Sequence, residues 1–144
     1  MARTILRAGA AVWLLAGGAG LALATLGTEW LLDVLPPLAI GADALGRAVA
    51  AVSFGLLIVG AAHVVVLRGL RAGARWGHSA GILLAAVLAA ALLSLAAAGV
   101  TSAVSRPEAA GALIGSGLAA LACAALYTVC GARLVGELRS RSPS

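Results

Sequence analysis

Four long apolar stretches, nearly free of charge, constrain this 144-residue chain more than any other feature. An α-helix rises 1.5 Å per residue, so roughly 20 apolar residues cross a hydrocarbon layer about 30 Å thick. Inside such a layer the backbone must satisfy its own hydrogen bonds, which a helix does. The sequence therefore predicts an all-α integral membrane protein whose four transmembrane helices occupy residues 8–26, 48–67, 76–98 and 110–135.

Composition leaves little room for any other part. The chain is 62% hydrophobic and 10% charged, with a mean hydropathy of +1.10, whereas about 25% of the residues in a soluble domain are charged. The connections between the apolar stretches are short, and short connections make sequential helices antiparallel neighbours. We expect a single membrane domain over residues 1–144, built as an up-down four-helix bundle.

The placement of arginine predicts the orientation of this bundle. All ten basic residues are arginines, and only Arg47 and Arg106 lie on the side opposite the other eight. Membrane proteins keep their positive charges on the cytoplasmic side, so both termini and the hairpin at residues 68–75 should be cytoplasmic. The larger set comprises Arg3, Arg7, Arg68, Arg71, Arg75, Arg133, Arg139 and Arg141.

The same arginines bear on partners and on location. A net charge of +5 can indicate a nucleic-acid binder, but these arginines border apolar stretches, as topology signals do. We therefore expect the lipid bilayer as a partner and no nucleic acid. The chain has no lysine and is rich in alanine and arginine, which is typical of a GC-rich bacterial genome and predicts the bacterial plasma membrane.

Three segments outside the main stretches carry their own predictions. Thr28 can cap a short helix at residues 28–36 that lies in the membrane interface, with Trp30 at the head groups. The tail at residues 138–144 is expected to be disordered. The first apolar stretch also has features of a signal peptide, including Ala22-Leu23-Ala24 as a possible cleavage site, although it is long enough to span.

Small residues recur at every fourth position in two of the stretches, a pattern by which membrane helices bring their backbones together. They predict close packing against a neighbouring helix or against a second copy of the chain. The third stretch has Gly73, Gly77, Gly81, Ala85 and Ala89, and the fourth has Gly111 and Gly115. Gly17, Gly18 and Gly20 offer a further packing surface in the first stretch.

Few polar side chains fall inside the apolar stretches, and those that do are candidate functional residues because burial in hydrocarbon is costly. The candidates for a ligand or metal site are His63, His78, Tyr127, Cys130 and Cys123. Two histidines at similar depth on adjacent helices can ligate a b-type haem, or a transition metal together with a cysteine. The alternative is that each histidine bonds a backbone carbonyl or interfacial water and that the cysteines pack as apolar residues.

Several absences narrow the functional interpretation. A chain without lysine has no Walker A loop and no Schiff-base lysine, and the sequence contains no CxxC or HExxH motif. We predict a protein without cofactor or catalytic residues that acts by helix packing, as an accessory subunit or a homo-oligomer. One alternative is a carrier or enzyme for an apolar small molecule with a cavity on the cytoplasmic side. The other is a haem-binding or metal-binding membrane protein.

Overall fold

The computed structural model describes residues 1–26 and 42–140 of the chain, and these residues are almost entirely helical. Four long helices follow one another, with a short 3-10 turn at Pro107–Ala109 between the last two. They are α1 (Ala2–Leu26), α2 (Ala42–Arg71), α3 (Arg75–Ser105) and α4 (Ala110–Arg139).

Each of the four described helices is long and apolar enough to cross a membrane, with a mean hydropathy between 1.7 and 2.5 in its most apolar window. This confirms the predicted all-helical class and the number of spanning helices for the described residues. The helices extend beyond the apolar stretches, because the flanking arginines and small residues are compatible with helix. Helices of 30 residues are about 45 Å long, so their ends project beyond the hydrocarbon.

Two of the sequence predictions concern residues outside the described ranges. The interfacial helix at residues 28–36, with Trp30, lies in the part of the chain between α1 and α2 that the structure does not describe. Of the tail predicted to be disordered, residues 138–139 form the end of α4 and residue 140 follows in a turn, whereas residues 141–144 are not described.

The chain divides into two compact units, which are described separately below. The split unit combines the N-terminal Met1–Leu6 with Val66–Ser144, and the contiguous unit is Arg7–Val65. The split unit thus contains the first turns of α1, the end of α2, and all of α3 and α4. The contiguous unit contains the rest of α1 and most of α2.

In the split unit α3 and α4 pack as an antiparallel hairpin along one face of each helix. A β-carbon built on Gly99 would lie 3.0 Å from the Leu113 carbonyl oxygen, and one built on Gly81 would lie 2.8 Å from Leu134 Cδ1. In contacting pairs the residue number therefore increases along α3 as it decreases along α4, which makes the two helices antiparallel. The buried positions of α3 include Gly77, Gly81, Ala85 and Ala89, and those of α4 are Gly117, Ala120, Ala124, Tyr127, Cys130 and Leu134.

The hairpin between α2 and α3 is closed by Gly73, which the four-residue spacing assigns to the packing stripe of α3. The structure instead places Gly73 in the turn, exposed and with a left-handed φ of 68°. Its N–H bonds the Leu70 carbonyl, and the Ala74 N–H bonds the Gly69 carbonyl, which together form a Schellman cap of α2. Gly73 is present because only glycine adopts this φ at little cost.

Directly beside this turn, the backbones of α2 and α3 approach each other closely. A β-carbon on Gly77 would lie 2.5 Å from the Gly69 carbonyl carbon and 2.7 Å from Leu70 N. On the α2 side, a β-carbon on Gly69 would meet Gly77 Cα at 2.9 Å and the Trp76 ring at 2.7 Å. Two facing glycines therefore set the closest approach of these helices.

In the contiguous unit α1 and α2 are also antiparallel and also meet at glycines. A β-carbon on Gly17 would lie 2.8 Å from the Ser53 carbonyl oxygen, and one on Gly60 would lie 2.7 Å from Leu14. Gly20 faces the Ser53 hydroxyl, which donates to the Val49 carbonyl at 2.6 Å. Gly17 and Gly20 thus pack as predicted, whereas Gly18 has no atom within 4 Å of its β-position.

We expect Gly73→Ala to lower the free energy of unfolding by about 1 kcal/mol, because alanine is strained at a left-handed φ. Space is not the cause, since nothing lies within 4 Å of the β-position. Gly55 is the matched control, because it also has an open β-position but is helical, and Gly55→Ala should be neutral or stabilising. Unfolding by sodium dodecyl sulfate in mixed micelles measures both. Equal effects of the two substitutions would contradict the capping role.

For Gly77→Ala we expect a larger loss, about 1 to 3 kcal/mol, because the added methyl meets backbone atoms that cannot rotate away. Gly136→Ala in α4 adds the same methyl at an open position and serves as the control. The same titration measures the difference. Wild-type stability of Gly77→Ala would mean that α2 and α3 do not approach as closely as described.

Candidate functional site

The arginine-rich end of the split unit contains a buried polar cluster centred on His78 of α3. The His78 side chain is fully buried, in the first turns of α3. Its Nδ1 lies 3.3 Å from the Ala74 carbonyl oxygen, four residues earlier. Its Nε2 lies 3.7 Å from the Glu137 carboxylate in the last turns of α4 and has no hydrogen-bond partner among the described residues.

These contacts define which nitrogen of neutral His78 carries the proton. A carbonyl oxygen only accepts hydrogen bonds, so Nδ1 must donate its N–H to Ala74. In the neutral ring Nε2 is then a lone pair, and it faces a carboxylate that is also only an acceptor. The pair forms an ion pair when His78 is protonated, and otherwise two acceptors face each other at 3.7 Å.

Cys130 lies on the buried face of α4 and bonds to the beginning of the chain. Its thiol is fully buried and donates to the Ala2 carbonyl oxygen, with 3.7 Å between sulfur and oxygen. Leu6 and Leu134 are fully buried as well, and Tyr127 is 5% exposed. The environment of Cys130 is therefore apolar packing with one weak hydrogen bond, which keeps the thiol away from water-borne reagents.

Cys123 is separated from this environment, although the seven-residue spacing places it on the stripe of Tyr127 and Cys130. Its side chain is exposed on the outer face of α4. The buried positions of α4 recur at slightly less than 3.6 residues, so the buried strip winds around the helix. At the level of Cys123 the strip passes through Ala120 and Ala124 instead.

His63 belongs to the contiguous unit and repeats the local geometry of His78. Its side chain is fully buried in α2, and its Nδ1 lies 2.8 Å from the Val59 carbonyl oxygen four residues earlier. The proton of a neutral ring is therefore on Nδ1 here too. Each histidine uses one ring nitrogen on its own helix backbone, which is the structural alternative that the sequence left open.

A metal centre needs more ligands than the described residues bring together. Within residues 1–26 and 42–140 no three His, Cys, Asp or Glu side chains are grouped so that they could hold a metal ion. His78 Nε2 and Glu137 supply two ligand atoms, whereas structural zinc sites use four protein ligands and catalytic ones three.

Three surface grooves differ in their lining from the predicted cavity. They have volumes of about 390 to 460 Å³, and none of these three is lined by His63, His78, Tyr127, Cys130 or Cys123. One lies on α4 beside Arg133 and Glu137, one beside Arg106 at the other end of α3, and one beside Asp43 and Arg47. Each is an open groove near a helix end.

Glu137 is the residue of this cluster that sequence reasoning missed. It follows the fourth apolar stretch, so it does not count as an intramembrane acid. Its position becomes evident from the hairpin register, because residue numbers in contacting pairs rise on α3 as they fall on α4. Gly81 meets Leu134, so His78, three residues before Gly81, meets Glu137, three residues after Leu134.

Compared with models of known families, with curated proteins and with solved structures, the chain matches none of them. Its class follows from its four described helices, whose length and apolar composition are those of a multi-pass α-helical membrane protein. Any function must therefore be argued from the residues of this chain.

We expect Glu137→Gln to raise the free energy of unfolding by about 1 kcal/mol, because a hydrogen bond replaces the contact between two acceptors. The glutamine amide can donate to the Nε2 lone pair, which the carboxylate cannot. Glu108→Gln in the exposed 3-10 turn removes the same charge and should change little. Unfolding in mixed micelles compares them. A loss of stability in Glu137→Gln alone would show that the pair is a true salt bridge.

Proposed function

We propose that this chain is a small multi-pass membrane protein that acts by helix packing, as a homo-oligomer or as an accessory subunit of a membrane complex. The observation that carries the proposal is the pair Gly111 and Gly115 on α4. Both glycines are exposed, and nothing lies within 4 Å of either β-position. They form a small-xxx-small motif that the described part of the chain leaves unused.

The other small-residue stripe is not available to a partner. Gly77, Gly81 and Ala85 of α3 are buried against residues of the same chain, including Gly69, Leu134 and Gly131. A second copy cannot use that surface without opening the hairpin. Gly111 and Gly115, in the outer half of α4, are a pair at this spacing with both β-positions open.

The surroundings of Gly111 and Gly115 suit a membrane helix. Ile114 and Leu118, in the same turns of α4, are 46% and 62% exposed. Apolar side chains beside bare backbone let a second helix approach closely and contact the flanking side chains. Because lipid tails are as apolar as leucine, such packing rather than the hydrophobic effect drives association in a bilayer.

Limited burial within the chain also favours a packing role. Between 11% and 33% of each apolar window is buried, so most of the four described helices faces lipid or partners. Several polar side chains inside them are directed to their own backbones. Ser53, Ser94 and Thr128 each donate to the carbonyl four residues earlier, as His63 does. A protein that works by packing needs no further chemistry, and we propose that it has no catalytic activity.

The proposal includes an orientation and a location. Eight arginines against two support a cytoplasmic position for both termini and the α2–α3 turn, in a bacterial plasma membrane. Antiparallel contacts within each unit are compatible with an up-down bundle of all four helices.

We expect the protein in mild detergent to have the mass of two or more copies, or to purify with another membrane protein. Gly111→Ile with Gly115→Ile should shift it to the monomer, because branched side chains keep the backbones apart. Gly18→Ile with Gly55→Ile adds the same volume at open positions of α1 and α2 and should leave the mass unchanged. Light scattering combined with size exclusion measures each.

Two results would overturn this proposal. A monodisperse monomer without a co-purifying protein, both in detergent and in nanodiscs, would remove the packing role. A Soret band or a stoichiometric metal in the purified protein would favour the haem-binding or metal-binding alternative instead.

A further inference from the structure

Four arginines surround the turn between α2 and α3 in the split unit. Arg68 and Arg71 occupy the last turn of α2, and Arg75 begins α3 directly after the turn. Arg3 joins them from the first turn of α1, because its guanidinium donates to the Leu70 carbonyl oxygen at 3.2 Å. The fold thus gathers onto one turn charges that are 72 residues apart in the sequence.

These four charges are exposed and have no carboxylate partner in the described part of the chain. All four side chains are exposed, and within residues 1–26 and 42–140 none lies within 4.0 Å of a carboxylate. The acid of α4 at this end, Glu137, faces His78. Among the other described acids, Asp43 is at the opposite end of α2 and Glu108 at the opposite end of α3. The positive charge of the turn is therefore not compensated by a described residue.

Trp76 places this charge at a definite depth. Its ring contacts Gly69 of α2, yet 53% of the residue remains exposed. A half-exposed tryptophan at the end of an apolar helix is typical of the zone between hydrocarbon and head groups. Since Arg75 precedes Trp76 directly, the arginines lie at the level where lipid phosphates are found.

We propose that Arg3, Arg68, Arg71 and Arg75 form a binding surface for the head groups of anionic phospholipids. The planar guanidinium presents several N–H donors to the oxygens of a phosphate, often two at once. One N–H group of Arg3 donates to the Leu70 carbonyl, and the other N–H groups of its guanidinium can donate to a ligand. Anionic lipids rather than zwitterionic ones are expected, because a phosphatidylcholine ammonium cancels the charge that the turn attracts.

This surface differs from the proposed association surface and does not depend on it. Gly111 and Gly115 lie at the beginning of α4. The arginine surface lies at the beginning of α3, where His78 contacts Glu137 at the end of α4. A monomer can bind anionic lipid, and an oligomer can form without it.

The test is a lipid titration of the full chain in mild detergent, followed by native mass spectrometry. Phosphatidylglycerol and phosphatidylcholine with identical acyl chains are compared for the wild type and two double variants. Arg71→Gln with Arg75→Gln removes two charges from the turn. Arg47→Gln with Arg106→Gln removes two charges elsewhere and is the matched control.

We expect the wild type to prefer phosphatidylglycerol, and the turn variant to lose roughly 25-fold in affinity for it, because each interfacial arginine contributes about fivefold. The control variant should retain the preference. Addition of 0.5 M salt should weaken phosphatidylglycerol binding to the wild type, a measurement that needs no variant. Circular dichroism checks that both variants keep their helices.

Equal binding of the two lipids by the wild type would overturn the proposal, as would equal losses in the two variants. Displacement of phosphatidylglycerol by inorganic phosphate at matched concentration would overturn the assignment to lipid, since free phosphate would then be the ligand.

Discussion

Close approach of the helices at glycine is the constraint on which the packing of this protein depends. Where α2 meets α3, the backbones of Gly69 and Gly77 face each other, and where α1 meets α2, Gly17 and Gly60 lie against Leu57 and Leu14. The hydrophobic effect does not drive helix association in lipid. The favourable free energy of association must therefore come from close approach and dense contact between the helices. Side chains larger than that of glycine at these positions would separate the helices, and the close contact would be lost.

Glycine has three different uses along this chain, and spacing alone does not separate them. Gly77 and Gly81 permit close packing, Gly73 permits a left-handed turn, and Gly111 and Gly115 are exposed. Glycines in all three uses fit a four-residue repeat. Gly73 fits it although it lies in a turn, because the spacing from Gly73 to Gly77 is the same whether or not both residues are helical. The sequence therefore predicts where helices are apolar and small, but not which repeat is used within the chain.

The number and approximate extent of the described helices follow from the sequence, because length and hydropathy determine both. The rotation of each helix about its axis does not follow, since several faces of α4 are apolar enough to be buried. Cys123 and Gly117 illustrate this: the first is exposed and the second is in contact with Ala96. The pairing of His78 with Glu137 needs the register of the α3–α4 hairpin, which no local pattern specifies.

The hydrogen bond from Cys130 to Ala2 joins residues 128 positions apart, and it has a consequence for biosynthesis. The first turn of α1 is synthesised long before its contact on α4. The contiguous unit, Arg7–Val65, has all its sequence available before α4 is made. The split unit can therefore close only after α4 has been synthesised, whereas the contiguous unit can form earlier.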